Sequence, residues 1–394
     1  MNQRLELLQS YPFQRLSNLI AGLKPAHPVS LHIGEPKHPT PAFIRDALIE
    51  NLDGLSVYPA TLGTEALRRV IAEWIGRRYR IDTPDPANQV LPVNGSREAL
   101  FAFAQTVIDE KRPSPVVICP NPFYQIYEGA ALLAGARPEF IHTQAENDYA
   151  FDPAQLPEST WRHAQLAYVC SPGNPTGKVL TLEDWKKLFE YSDRHQCVIA
   201  ADECYSEIYF DEAQPPLGAM DAAVRLGRRD FRNLVVFSSL SKRSNVPGMR
   251  SGFVAGDADI LKKFYLYRTY HGSAMSLPVQ AASIAAWRDE EHVVANRALY
   301  RKKFDAVIEI LKPALPVEWP DAAFYLWLKT PIDDVEFTRR LYAEEGVSVL
   351  PGSYLAREAR GINPGAGRVR IALVATIDEC VEAANRLRRF ATTL

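Results

Sequence analysis

Short apolar runs without polar interruption recur through the middle of the chain, and each is followed by turn residues and then by a helical pattern. The runs cover residues 90–93, 116–119, 166–170, 198–201, 234–237 and 252–255. Continuous hydrophobicity in short strands is typical of strands buried on both faces, as in a mostly parallel sheet covered by helices. The pattern therefore predicts a doubly wound α/β fold.

A different pattern follows from about residue 277, where a helical stretch continues to residue 312 with no proline between Pro278 and Pro313. We expect this stretch to bridge two domains. Beyond it, the strings FYLWLKT, VSVLPG and RVRIALV predict short strands of a smaller α+β domain. The predicted division is an N-terminal arm that contributes to the small domain (1–30), a large domain (31–285) and a small C-terminal domain (286–394).

The charge balance and the apolar pattern exclude several classes of partner. Of 394 residues, 45 are Lys or Arg and 47 are Asp or Glu, so the formal charge is −2 and no basic excess is available for nucleic acid. The chain has no run of about 18 apolar residues, and its start, MNQRLELLQSYPF, lacks the apolar core of a secretion signal. We therefore expect a soluble, cytoplasmic protein with no nucleic-acid or membrane partner.

Metal and disulfide chemistry have no support in the sequence. The five cysteines show no C-x-x-C spacing, and the eight histidines show no ligand spacing such as H-E-x-x-H. Buried free thiols are the simplest interpretation of the cysteines, and no metal site is expected.

The loops that follow the apolar runs are candidates for a functional site, because ligands in an open α/β sheet bind beyond the carboxyl ends of the strands. One of these loops carries Lys242 in the string S-x-S-K-x(7)-R. Ser239, Ser241 and Arg250 supply two hydroxyls and a guanidinium, which suit a phosphate ester. A lysine amine in this place can form a Schiff base, although a single lysine is more often a solvated surface residue.

Three earlier loops add other polar groups. Gly95, Ser96 and Arg97 follow one strand and would form a helix N-terminus, which attracts anions but is a weak signal when taken alone. Asp202 follows another strand and would bring a carboxylate to the crevice, unless it only caps a turn. The loop 171–177, SPGNPTG, resembles a P-loop only superficially, because just three residues separate its two glycines, Gly173 and Gly177.

Taken in order along residues 31–373, seven motifs resemble those of the class I/II aminotransferases, fold-type I enzymes that use pyridoxal 5′-phosphate (PLP). The resemblance implies an aspartate-aminotransferase-like fold, with a mostly parallel seven-stranded sheet in the large domain. It also implies PLP as the cofactor, held as a Schiff base on Lys242, and amino acids and 2-oxo acids as the substrates.

The resemblance further implies a role for each residue that matches a family motif. Lys242, Asp202 and Tyr205 would be catalytic, with Asp202 paired to the pyridine nitrogen. The cofactor would be bound by Tyr58, Gly95, Ser96, Arg97, Tyr124, Asn174, Asp202, Tyr205, Ser239, Ser241, Lys242 and Arg250. The substrate would be bound by Gly34, Asn174 and Arg370.

Three of these matches carry more detailed expectations. Tyr124 is expected to stack on the pyridine ring, with Tyr127 as the less favoured choice. Arg370 is expected to clamp the substrate α-carboxylate, with Arg368 as its competitor. Tyr58 matches a tyrosine that reaches the phosphate of the neighbouring subunit, which implies a homodimer with shared active sites.

Finer strings, among them YPF near the start, IGEPKHPTP and SLSKRSNVPGMRSGFVAGD, resemble the N-succinyldiaminopimelate aminotransferases of proteobacteria. That resemblance implies amino-group transfer from N-succinyl-LL-2,6-diaminopimelate to 2-oxoglutarate, or the reverse, in lysine and diaminopimelate biosynthesis. Aspartate, aromatic and LL-diaminopimelate aminotransferases and a C–S lyase remain alternatives.

Arg243, Arg268 and His271 are candidates for binding the succinylated end of the substrate. Ala322 or Ala323 stands where many relatives have glycine.

A PLP-binding transcription regulator is the alternative outside the enzymes. Such a protein carries a helix-turn-helix ahead of its aminotransferase-like domain. Here the first motif of that domain begins by Gly34 and no basic patch is present, so we expect an enzyme instead.

Overall fold

The computed structural model describes all residues from Met1 to Leu394. The strands are β1 (Val29–Ser30), β2 (Val90–Val93), β3 (Val116–Asn121), β4 (Arg137–His142), β5 (Ala164–Cys170), β6 (Val198–Asp202), β7 (Leu234–Ser239), β8 (Gly252–Gly256), β9 (Tyr325–Lys329), β10 (Val347–Ser348), β11 (Leu350–Pro351) and β12 (Arg368–Ala372). The helices are α1 (Pro12–Leu19), α2 (Ala42–Glu50), α3 (Glu65–Tyr79), α4 (Ser96–Val107), α5 (Ile126–Leu133), α6 (Glu158–Trp161), α7 (Leu182–His195), α8 (Ala219–Arg225), α9 (Leu240–Arg243), α10 (Ala258–His271), α11 (Leu277–Arg288), α12 (Glu291–Leu311), α13 (Asp334–Glu345), α14 (Gly352–Leu355) and α15 (Ile377–Thr392). None of the helices is both long and apolar enough to cross a membrane.

A seven-stranded sheet forms the centre of the fold, with the strand order β2-β8-β7-β6-β5-β3-β4. Strand β8 runs antiparallel to β2 and β7, and the other neighbours are parallel. Every residue of β2, β3, β7 and β8 is buried, because helices cover both faces of the sheet. The predicted α/β fold with a mostly parallel seven-stranded sheet is therefore confirmed.

Large aromatic side chains fill the layers on the two faces of the sheet. On one face Trp74 of α3 packs against Trp287 of α11, with ring centroids 4.7 Å apart. On the other face Phe103 of α4 lies 5.3 Å from both Phe237 and Phe264. Each such fully buried side chain contributes about 1.5–3 kcal/mol to folding, so the strand ends that carry polar loops are held on a rigid base.

Six strands of the central sheet coincide with the predicted apolar runs, and β4 is the one that the pattern missed. It begins with Arg137, Pro138 and Glu139, and only its last three residues are fully buried. Polar residues are common on edge strands, where they discourage pairing with another chain. Strand β4 therefore has no continuous apolar run by which the sequence pattern could predict it.

A smaller antiparallel sheet has the order β11-β12-β9 and packs against α12, α13 and α15. Strand β1 pairs in parallel with β10, which joins residues near the N-terminus to the C-terminal part of the chain. The domain boundaries at 1–30, 31–285 and 286–394 remain a prediction.

The helical stretch after residue 277 is two helices, α11 and α12, and not one continuous helix as we expected. The break is explained by Arg243, whose guanidinium is completely buried and donates to the carbonyls of Ala286 (2.7 Å) and Asp289 (3.1 Å) at the end of α11. The side chain of Asp289 then accepts from the backbone N–H of His292 (3.0 Å), in the first turn of α12. The cap at the end of α11 comes from another helix, so only Asp289 marks the break within the stretch itself.

Substitution of Gly252 tests how closely β8 packs against β7. A Cβ added at Gly252 would overlap the carbonyl oxygen of Ser238, whereas a Cβ added at Gly248 meets nothing within 4 Å. Gly252→Ala is therefore expected to lower the free energy of unfolding by about 1–3 kcal/mol, because overpacked backbone must shift. Gly248→Ala serves as the control, and denaturant midpoints measure both variants. Equal midpoints for the two variants would show that the strands can separate without cost.

Candidate active site

One cavity of about 500 Å³ lies beyond the carboxyl ends of the central strands, between the large sheet and β9 and β12. Twelve of the fourteen predicted site residues line it: Gly34, Ser96, Arg97, Tyr124, Asn174, Asp202, Tyr205, Ser239, Ser241, Lys242, Arg250 and Arg370. They come from loops far apart in sequence. The parallel topology brings these loops to one edge of the sheet.

Lys242 extends from the short helix α9, which directly follows β7. Its Nζ donates a hydrogen bond to the carbonyl oxygen of Gly34 (2.6 Å) and lies 5.6 Å from the ring centroid of Phe324. Burial lowers the pKa of this amine to about 8, and the positive charges of Arg370 and Arg97 act in the same direction. The amine is thus poised to gain or lose a proton near neutral pH.

Gly34 must be glycine for this contact to form. A Cβ at this position would clash with the hydroxyl of Tyr325, which lies directly behind the backbone. The Tyr325 hydroxyl is in turn 2.8 Å from the hydroxyl of Tyr205. The absence of a side chain at Gly34 therefore lets its carbonyl, Lys242 and the tyrosine pair share one wall of the cavity.

Asp202 ends strand β6, and its carboxylate is buried at the base of the cavity. Its Oδ2 accepts from the hydroxyl of Tyr127 (2.6 Å), and its Oδ1 accepts from the backbone N–H of Cys204 (3.3 Å). Burial raises the pKa of the Asp202 carboxyl, while these two donors favour its ionised form and oppose the rise. A cationic group bound in the cavity would pair with this carboxylate and offset the cost of burying its charge.

The two tyrosines that follow β3, Tyr124 in the loop and Tyr127 in α5, have different positions. Tyr124 lines the cavity, and its hydroxyl accepts from Nε of Arg97 (2.6 Å). Tyr127 is completely buried and stacks on Tyr168 with ring centroids 4.6 Å apart. Its ring is therefore not available to a ligand, and its contribution is the hydrogen bond to Asp202, which the sequence pattern did not indicate.

A positively charged seat for an anion lies at the N-terminus of α4. Ser96 and Arg97 begin this helix, and the hydroxyls of Ser239 and Ser241 and the guanidinium of Arg250 border the same cavity. Free backbone N–H groups and the helix dipole add to this positive potential. The seat has the donor set that a phosphate ester requires.

Gly95 does not line the cavity but lies directly beneath the seat. Its φ of 84° is in the left-handed region, and a Cβ there would clash with the guanidinium of Arg250. Gly95 thus allows the arginine to approach the end of α4. Ser96 is held from the other side by the thiol of Cys204, which lies 2.9 Å from its hydroxyl.

Arg370 lies on β12 and is the arginine of RVR that reaches the cavity. It donates to Oδ1 of Asn174 (2.9 Å) and to the carbonyl of His32 (2.8 Å), and its buried Nε has no partner. Its competitor Arg368 does not line the cavity, and donates instead to the carbonyl of Trp327 (3.4 Å). A guanidinium that lines the cavity and is oriented by two hydrogen bonds is suited to a carboxylate.

Tyr58 is fully exposed and lies outside the cavity of its own chain.

Ala323 adopts a φ of 68°, a conformation that favours glycine, and its backbone N–H donates to the carbonyl of Ile208 (2.8 Å). This geometry agrees with the glycine that we expected of many relatives at one of these two positions.

The three residues suggested for binding the distal end of a substrate do not line the cavity of their own chain. Arg243 is buried against α11, as described above. Arg268 is fully buried and forms an ion pair with Glu98 (2.5 Å), and His271 lies beside the same carboxylate. Closeness in sequence to a functional loop did not indicate the direction of these side chains.

Further residues complete the cavity wall and were not predicted: Tyr11, Pro12, Phe13, Ile33, Glu35, Gln125, Cys170, Cys204, Pro247, Tyr325 and Leu355. Tyr11 to Phe13 lie at the start of α1, where Pro12 occupies the first turn. The string YPF near the start of the chain was the only sequence signal for this part of the wall.

The sequence model of the family described as aminotransferase class I and II matches residues 26–387. This chain belongs to that family. Its members use PLP and act on amino acids and 2-oxo acids, and fold-type I enzymes of this kind are typically dimers. The residues around the cavity fit the cofactor, because an amine, a buried carboxylate, an aromatic face and an anion seat all border one space.

Similar proteins support the same family. An LL-diaminopimelate aminotransferase of Nitratidesulfovibrio vulgaris is 32% identical over 366 residues, which cover 91% of this chain and 90% of that protein. The crystal structure of an aminotransferase from Neisseria meningitidis superimposes with a TM-score of 0.94 at 53% identity, over 98% of this chain and 99% of that one. A probable N-succinyldiaminopimelate aminotransferase from Thermus thermophilus has a TM-score of 0.84 at 27% identity, over 96% and 100% of the two chains.

The lowered pKa of Lys242 can be measured in the cofactor-free chain. Because burial disfavours the ammonium form, Lys242 is expected to titrate near pH 8, against an ordinary value of 10.5. The 13Cε resonances of labelled lysine report the titration. Burial also lowers the pKa of Lys303 to about 8, so two resonances are expected to titrate in this range. The variants Lys242→Arg and Lys303→Arg each remove one of them and so identify the resonance of Lys242. A Lys242 resonance that titrates with the bulk lysines would contradict the buried geometry.

Proposed function

We propose that this aminotransferase transfers an amino group between N-succinyl-LL-2,6-diaminopimelate and 2-oxoglutarate, with N-succinyl-2-amino-6-oxopimelate and glutamate as the products. The observation that carries the aminotransferase chemistry is the convergence of Lys242, Asp202 and Arg370 on one cavity. The choice of substrate is supported by the sequence resemblance and by the structural similarity to the probable N-succinyldiaminopimelate aminotransferase of Thermus thermophilus.

Residues around the cavity would hold the cofactor at several points. Asp202 would bind the ring nitrogen, Tyr124 would cover a ring face, and Asn174 and Tyr205 would bind the ring oxygen. The phosphate would be bound by Gly95, Ser96, Arg97, Ser239, Ser241 and Arg250. When bound, PLP supplies an aldehyde carbon that exchanges between amines and a ring that delocalises the negative charge developing on the substrate.

The chain's own residues would bind the substrate and move its proton. Arg370 would hold the α-carboxylate, since it lines the cavity and its terminal nitrogens are already oriented by Asn174 and His32. Gly34 would lie against the substrate, with its backbone packed directly on the hydroxyl of Tyr325. Lys242, with a pKa near 8, would take the proton from the substrate α-carbon.

A homodimer with shared active sites is part of this proposal. Tyr58 is completely exposed, and further apolar side chains are exposed nearby in sequence: Ile49, Leu52, Leu55 and Val57. Exposed apolar residues that cluster in this way are typical of an interface. Tyr58 would then reach the phosphate of the neighbouring subunit.

LL-diaminopimelate aminotransferase is the second candidate, because several similar curated proteins carry that name. The two substrates differ at the end remote from the reacting amine. LL-diaminopimelate carries a free ammonium group at this end. In N-succinyl-LL-2,6-diaminopimelate the same nitrogen forms a succinyl amide, which adds a further carboxylate. Tyr11, Phe13, Gln125 and Leu355 line the cavity and would contact the end of the substrate that differs.

Lys242→Ala is expected to abolish borohydride trapping of PLP on the chain, because no other amine in the cavity would replace it. The anion seat would still bind the cofactor without a covalent link. Peptide mass mapping after reduction measures the trapping. Lys303→Ala is the control, since Lys303 is also a buried amine of low pKa but does not line the cavity. Retained transamination in Lys242→Ala would refute the assignment.

Half-reactions separate the candidate substrates. We expect glutamate to convert the bound cofactor, and N-succinyl-LL-2,6-diaminopimelate to do so with a kcat/KM at least about tenfold above that of LL-diaminopimelate, a difference of about 1.4 kcal/mol. Stopped-flow absorbance of the cofactor measures both. A preference for LL-diaminopimelate would replace the first candidate by the second, and a failure of glutamate would contradict the proposed amino donor.

A further inference from the structure

Residues 32–38 form a segment without regular secondary structure that contacts two central groups of the site. At its first residue, the carbonyl of His32 accepts from Arg370 (2.8 Å). Two residues later, the carbonyl of Gly34 accepts from Nζ of Lys242 (2.6 Å). The position of this segment therefore determines the surroundings of both the arginine and the lysine.

The last residue of the segment, His38, is connected to the same lysine by a different route. Nδ1 of His38 lies 2.7 Å from Oδ1 of Asn296, near the start of α12. Asn296 also accepts from Nδ2 of Asn245 (3.1 Å) and donates through its own Nδ2 to the backbone carbonyl of Lys242 (3.4 Å). Asn296 thus holds the turn from Lys242 to Asn245 at both of its ends.

The donors and acceptors in this chain can be assigned from the chemistry of the groups. The carbonyl of Lys242 can only accept, so the amide nitrogen of Asn296 must face it and Oδ1 must face His38. His38 must then carry its proton on Nδ1. Burial lowers the pKa of His38, which favours this neutral form.

We propose that His38 is a positioning residue for Lys242. Through Asn296 it ties segment 32–38 to the turn that carries the lysine, so that the Gly34 carbonyl and the Lys242 amine stay within hydrogen-bond distance. This inference rests on the role given to Lys242 in the proposed function. Because the lysine side chain must move during turnover, its backbone needs an anchor that does not depend on the position of Nζ.

Other contacts keep the turn folded when this anchor is lost. Arg243 is held by the end of α11, and Ser244 lies 2.8 Å from Nε2 of His292, whose Nδ1 is 2.5 Å from Asp289. This Ser-His-Asp arrangement is structural, because Ser244 is completely buried and has no exposed oxygen for a nucleophilic role. Loss of His38 is therefore expected to displace the lysine without unfolding its turn.

His38→Leu and His38→Asn form a matched pair of variants. Leu removes the donor, whereas the Asn side-chain nitrogen is the same number of bonds from Cα as Nδ1 of histidine. We expect His38→Leu to lower kcat on the order of tenfold to a hundredfold with little change in KM for glutamate, since Arg370 contacts the opposite end of the segment, at His32. The Lys242 titration in the cofactor-free chain should move from about 8 towards 10.5, because the amine becomes less buried. His38→Asn should restore both values.

The control is His163→Leu, which removes an exposed histidine that also bonds to a carbonyl through Nδ1. An unchanged kcat and an unchanged titration in His38→Leu would overturn the inference, and so would a failure of His38→Asn to restore them. Should His38→Leu not fold, Asn296→Asp tests the same inference. This variant retains the acceptor for His38 but removes the donor to the Lys242 carbonyl, so it should lower kcat by a similar factor. Activity retained in Lys242→Ala would instead contradict the proposed function itself.

Discussion

The hydrogen bond from Lys242 to the Gly34 carbonyl is the contact on which the rest of the site depends. A buried amine needs an acceptor, and here the acceptor belongs to a loop outside the central sheet. The close approach requires glycine at position 34, because the hydroxyl of Tyr325 occupies the space that a side chain would take. Tyr325 then positions Tyr205, so that one small residue brings the two parts of the molecule together around the lysine.

Much of the fold could be predicted because its cause is local. Continuous apolar runs indicate strands that are covered on both faces, and the parallel topology then gathers the loops after those strands at one edge. For this reason Ser96, Asp202, Asn174 and Lys242 could be expected together before any geometry was known. Strand β4 escaped the same reasoning because its exposed half, beginning with Arg137, carries no apolar run.

The parts that could not be predicted depend on contacts between distant segments. Nothing in its own surroundings in the sequence shows that Tyr127 bonds to Asp202, 75 residues away. Arg243 follows Lys242 directly, but the rotation of about 100° per residue in a helix directs it away from the cavity and towards α11. Sequence neighbours of a catalytic residue therefore share its loop without sharing its surroundings.

Arg243 also ends α11 and contacts the junction with α12, so the length of α11 is coupled to the turn that carries the lysine. Elsewhere in a protein, a helix can gain or lose a turn if a surface loop absorbs the change. In α11, an insertion would carry the carbonyls of Ala286 and Asp289 away from the guanidinium and leave a buried positive charge unpaired. We therefore expect natural variants of this chain to tolerate insertions and deletions in many surface loops but not between residues 277 and 296.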